Sequence, residues 1–116
     1  MRHIIIATAI AISAAPALAQ SADLKNGEKH FLSDGCYQCH GYAGQGALMT
    51  GPRISRTTLA FDQFLNQLRH PANAMAPYEA AILPEKTAAD IYAYLQAMPE
   101  PPNPKDLPLL FVTKSK

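Results

Sequence analysis

The 116-residue sequence has no tryptophan and only two cysteines, Cys36 and Cys39. Two cysteines this close cannot build the disulfide framework that staples many small secreted domains. Structural zinc is excluded as well, because it needs four ligands and no second Cys or Cys/His pair stands at matching spacing. Long hydrophobic runs are also missing. The longest, Ile4 to Ala19, is sixteen residues and includes Thr8 and Ser13, against the roughly 20 apolar residues of a spanning helix. Charge is scarce and balanced, with ten Lys and Arg against nine Asp and Glu. The basic residues are scattered, so no stripe neutralises phosphates and nucleic acid is not expected as a partner. The sequence shows no internal repeat, no Gly-rich phosphate loop and no convincing strand.

What is present begins with an export signal. Arg2 and His3 make a basic start, Ile4 to Ala15 is apolar, Pro16 breaks the run, and Ala17-Leu18-Ala19 is a small-x-small cleavage site. This is the layout of a secretory signal peptide spanning 1–19, cut after Ala19, with no membrane span left afterwards. Removing Arg2 from the ten basic residues leaves nine, so the mature chain is formally neutral. Its expected location is the periplasm.

Both cysteines stand in "CYQCH", Cys36 to His40. A disulfide across three residues closes too small a loop to remove much chain entropy. A thioredoxin-like dithiol needs a preceding strand and a βαβ setting, whereas the flanks here read as helix and loop. The remaining reading is covalent attachment of one haem c, for which C-x-x-C-H is the sequence signal. Cysteines three apart on one turn point their sulfurs to the same side, in reach of two neighbouring vinyl groups. His40 then falls beneath the iron as proximal ligand. The second axial ligand is open among Met49, Met75, Met98, His30 and His70. Met98 ends an amphipathic helix and reads as core, His30 lies too near Cys36 in sequence, and His70 before Pro71 reads as a helix terminus. Met49 and Met75 lie in loops. Met75, in "RHPANAMAPY", is 35 residues past His40, far enough to cross to the opposite face.

Helical periodicity accounts for much of the remainder. Ser21 or Asp23 caps a helix running to about Leu32, with Leu24, Gly27 and Phe31 on one face. Phe61, Phe64, Leu65 and Leu68 form the stripe of a second helix that Pro71 stops. Pro84 suits the first turn of a third, whose buried face is Ala88, Ile91, Leu95 and Met98 and which Pro99 ends. Tyr94 joins a helix crossing or lies against haem. The expected fold is all-α, about three main helices with long loops. The domain spans 20–98, and a Pro-rich extension, 99–116, packs on the domain or on a partner through Leu107, Leu109, Leu110, Phe111 and Val112.

Across nearly all of the mature sequence the chain resembles a class I (mono-haem) cytochrome c. "GCYQCHG" resembles the attachment site, "TGPRI" the proline segment, "RHPANAMAPY" the distal-ligand loop and "DIYAYLQAM" the C-terminal helix. One departure is that Ala76, not proline, follows Met75. The resemblance implies that His40 and Met75 ligate iron and that the Pro52 carbonyl accepts a hydrogen bond from His40. It also implies that Gly27 lets the terminal helices approach closely. His/Met ligation closes both axial positions and favours Fe(II). The implied function is a periplasmic electron carrier, not an enzyme, linking a dehydrogenase, oxidase or quinol-oxidising complex to the respiratory chain. Alternatives are the cytochrome subunit of a dehydrogenase complex, a haem enzyme or sensor with an open sixth site, and a haem-free thiol oxidoreductase.

Overall fold

The computed structural model describes residues 21–106. The expected signal peptide and the apolar patch Leu107 to Val112 lie outside these residues. Four helices follow one another: α1 (Leu24–Ser33), α2 (Cys36–His40), α3 (Phe61–Arg69) and α4 (Glu85–Ala97), with a 3₁₀ turn at Pro104–Asp106. Among the described residues the only β pairing is an isolated bridge between Ala47 and Gly51. The helices thus number one more than the three main ones expected, because the Cys36–His40 segment closes a turn of its own.

Asp23 starts α1, its carboxylate accepting from the Lys25 and Asn26 N–H groups, which satisfies two of the orphan donors of a first turn. α1 then crosses α4. At the crossing a Cβ built on Gly27 would lie 2.1 Å from the Asp90 carbonyl oxygen and 2.9 Å from Tyr94 Cβ, so only glycine permits this approach. Phe31 is fully buried there, its ring 5.7 Å from that of Tyr94. Leu24, expected on the same buried face, is instead 46% exposed. It lines a shallow groove with Tyr94, Met98 and Pro99 instead of packing in the core.

The expected faces of the other helices hold with small shifts. Phe64 and Leu68 of α3 are buried, while Phe61 and Leu65 pack at the rim. Pro84 is the N-cap of α4 and Glu85 its first helical residue, one position later than expected. Ala88, Ile91, Leu95 and Met98 are all buried and, with Phe31, Phe64, Leu68 and Leu83, make the core. α4 also holds the chain between α2 and α3. The Leu95 carbonyl accepts from the Arg56 N–H, the Gln96 amide donates to the Thr57 carbonyl, and the Tyr92 hydroxyl donates to the Leu59 carbonyl.

One buried carboxylate ties α1 to α4. Asp90, 1% exposed, accepts from the Asp23 N–H at 2.8 Å, the Asn26 side chain at 2.9 Å and Lys86 Nζ at 2.6 Å. Burial pushes its carboxyl up, but the hydrogen bonds from Lys86, Asp23 and Asn26 outweigh burial and hold it below the usual carboxylate range. A carboxyl whose folded pKa is depressed contributes stability above its unfolded pKa, and that contribution is lost as pH falls through the folded value. Asp90→Asn is therefore expected to cost about 2 kcal/mol at pH 7, because an NH2 group replaces one acceptor oxygen, which leaves one of the two α1 donors without its partner and removes the charge facing Lys86. Thermal melts of parent and variant should converge as pH falls below roughly 4. Curves that stay parallel through that range would show that the charge of Asp90 does not stabilise the crossing.

Candidate functional site

The site is built on α2 and on the loop that folds beneath it. Gly35 and Gly41 flank α2 at φ 81° and 78°, left-handed values that favour glycine. Between them Cys36, Cys39 and His40 share just over one turn. Cys36 is half-buried, Cys39 is exposed, and both are free thiols. His40 is buried.

The 41–55 loop then fixes the imidazole from below. The Gly46 N–H donates to the His40 carbonyl at 2.8 Å, and the Ile54 and Ser55 N–H groups both donate to the Gly44 carbonyl. The Thr50 hydroxyl donates to the Cys39 carbonyl at 2.9 Å. These bonds bring Pro52 to His40, with its carbonyl oxygen 2.7 Å from Nδ1. This is the contact the resemblance implies. A carbonyl only accepts, so Nδ1 carries the proton and, in the neutral ring, Nε2 keeps its lone pair. Gly51 seats the ring from the side. A Cβ there would stand 2.9 Å from the Cys39 oxygen and 3.0 Å from His40 Nδ1. Neither Gly51 nor Thr50 was singled out from sequence. Their roles come from the fold of the loop, and no local pattern announces them.

Met75 lies in the loop between α3 and α4, half-buried against the core. Its sulfur receives one weak contact, from Gln67 Nε2 at 3.9 Å. The other sequence candidates lie elsewhere. Met49 is 95% exposed at the tip of the 47–51 turn. Met98 is buried in the core, and His70 is the exposed C-cap of α3. His30 pairs with Asp34 at 3.0 Å through Nδ1. Tyr94 sits in the helix crossing against Phe31.

Tyr78, three residues beyond Met75, was missed. Its hydroxyl donates to the Asp34 carbonyl at 2.8 Å, just ahead of Cys36. Burial, with Cys36 alongside, pushes its phenol up to about 12. Burial likewise pushes the Cys36 thiol up, and the Asp34 carboxylate adds to the rise. A dithiol oxidoreductase relies on the opposite, a lowered thiol pKa. The raised Cys36 thiol lends no support to that chemistry.

The donor set fits haem c. Two free sulfurs three residues apart can take the two thioether bonds, and an imidazole with a free Nε2 follows them directly. A thioether with no strong hydrogen-bond partner, that of Met75, lies in the loop between α3 and α4. Among the described residues no helix is long and apolar enough to cross a membrane. No curated protein matches the sequence. Residues 22–95, more than half of the chain, match the family described as cytochrome c oxidase, cbb3-type, subunit III. With a helical fold that has no strand among the described residues and a single C-x-x-C-H on α2, the chain belongs to this family and is a class I mono-haem c-type cytochrome.

Proposed function

We propose that the chain is a periplasmic electron carrier in which His40 and Met75 are the axial ligands of one haem c held by Cys36 and Cys39. It passes single electrons between a periplasmic dehydrogenase and the respiratory chain. The observation that carries this reading is the His40–Pro52 hydrogen bond, 2.7 Å long. It fixes the ring and its tautomer without using Nε2, and it makes the imidazole a better donor, as carbonyl partners of metal-bound histidines do. When bound, the haem supplies a one-electron Fe(III)/Fe(II) couple.

The chain's own residues do the rest. Gly51 and Pro52 prevent His40 from rotating, so little reorganisation accompanies a change of charge. Phe64, Leu68 and Leu83 keep water from the interior. Met75 would supply the second iron ligand, which would leave no open position for a substrate and would favour a carrier over an enzyme.

The exposed residues around the attachment segment support a small apolar docking contact. Ala47, Leu48, Ala74 and Ala76 are all exposed, and Leu48 is 92% so. With a neutral mature chain, electrostatic steering is weak. The family's description is of an oxidase subunit, which supports a second reading, that the chain is the electron-transfer subunit of an oxidoreductase complex. Tagged protein recovered from its native host separates the two. A carrier elutes alone, whereas a subunit co-elutes with a larger enzyme.

The functional test is a potentiometric titration of haem-loaded protein, with its electron-transfer rate to a respiratory acceptor measured at low and high salt. One-electron behaviour and a rate nearly independent of salt are expected. Rapid peroxide turnover, or a rate falling steeply with salt, would contradict the reading.

A further inference from the structure

The loop that carries Met75 joins α3 to α4 without regular structure, and its fixings are concentrated at one residue. The Tyr78 N–H donates to the Leu68 carbonyl at 2.8 Å. Arg69 donates through Nη1 to the Tyr78 carbonyl at 2.6 Å and through Nη2 to the Leu83 carbonyl at 2.8 Å. The Tyr78 hydroxyl reaches across to the Asp34 carbonyl at 2.8 Å. The end of α3 thus grips the Tyr78 backbone, and the Tyr78 ring pins the loop to the junction between α1 and α2, two residues before Cys36. The stretch from Pro71 to Pro77 has nothing comparable. Its one polar tether among the described residues is the weak Gln67–Met75 contact at 3.9 Å. Asn73 in this stretch has φ 62°, a left-handed value that asparagine tolerates better than most residues.

We propose that Arg69 and Tyr78 form a latch that holds the Met75 segment closed. The latch sets the fraction of molecules in which the sixth position is open to a small external ligand. The proposal rests on Met75 as the distal ligand and makes Arg69 and Tyr78 positioning residues, since neither is asked to touch iron. A small ligand that binds only the open form has an apparent affinity proportional to the open fraction. Weakening the latch should therefore tighten binding of that ligand without changing its intrinsic affinity.

The test uses haem-loaded full-length protein and imidazole as the probe, followed by the spectral change on binding to the oxidised form. Tyr78→Phe keeps the ring and loses one neutral hydrogen bond, so imidazole should bind about fivefold tighter. Arg69→Ala loses two charge-assisted bonds and should tighten binding by at least about 30-fold, with Arg69→Lys in between. Hydrogen exchange of the Tyr78 amide should quicken in the same order. Asp90→Asn is the control, because it loosens the α1–α4 crossing without touching the loop, and its imidazole affinity should match the parent. Unchanged affinity in Tyr78→Phe, or an equal gain in Asp90→Asn, overturns the latch while leaving Met75 as ligand. Absence of the far-red Met–Fe(III) band from the parent overturns the ligand assignment, and the latch with it.

Discussion

Gly27→Ala should destabilise the protein by about 3 kcal/mol or more, and Gly27→Val should prevent folding. Taken as an isolated helix position, the first change would be favourable, since alanine exceeds glycine in helix propensity by roughly 1 kcal/mol. The crossing reverses the sign. The added Cβ would stand 2.1 Å from the Asp90 oxygen and 2.6 Å from its carbonyl carbon. These are backbone atoms of α4 and cannot rotate away as a side-chain tip can. The helices must separate, which opens the packing of Phe31, Ile91 and Leu95 and strains the three hydrogen bonds to Asp90. A small domain has only about 5–15 kcal/mol of net stability to lose. Thermal denaturation of haem-loaded parent and variant measures the effect, and a Gly27→Ala melting midpoint equal to the parent's would contradict the close approach.

The second large effect is expected on removing the haem. Cys36→Ala/Cys39→Ala protein, purified without haem, should lack a cooperative thermal transition. The buried apolar core comprises eight residues among those described, one of them an alanine, and domains this small bury a low fraction of their surface. The 41–60 and 70–84 segments hold no helix, so their backbone ordering costs entropy with little apolar burial in return. Haem would add apolar mass against both loops, and ligation by His40 and Met75 would tie them together. The two terminal helices alone are too short to persist in isolation, since ten to thirteen residues is marginal in water. Far-UV circular dichroism during heating is the measurement. A sharp two-state melt would show that the polypeptide folds unaided.

The sequence was most legible where one residue type admits one physical solution. Two cysteines three apart with a histidine after them marked the segment that forms α2. The periodic faces of α3 and α4 placed the core, and Gly27 in mid-helix signalled a close approach. The contacts that position the site were less visible, because they join residues distant in sequence. Asp34 and Tyr78 are 44 positions apart, and Asp23 and Asp90 are 67 apart. No local pattern distinguishes Tyr78 in "MAPY" from a surface tyrosine, or Arg69 from an ordinary basic residue near a helix C-terminus. Asp90 reads as one more polar residue of α4 until its three donors are seen around it. Leu24 was misplaced because periodicity gives a helix face but not how much of that face a crossing partner covers.

The most direct test of the central claim is the absorption spectrum of oxidised, haem-loaded mature protein and of Met75→Ala, recorded in the far red. His40 and Met75 as axial ligands predict the weak Met–Fe(III) band in the parent and its loss in the variant. A parent spectrum without that band, or a variant that retains it, would show that Met75 is not the distal ligand.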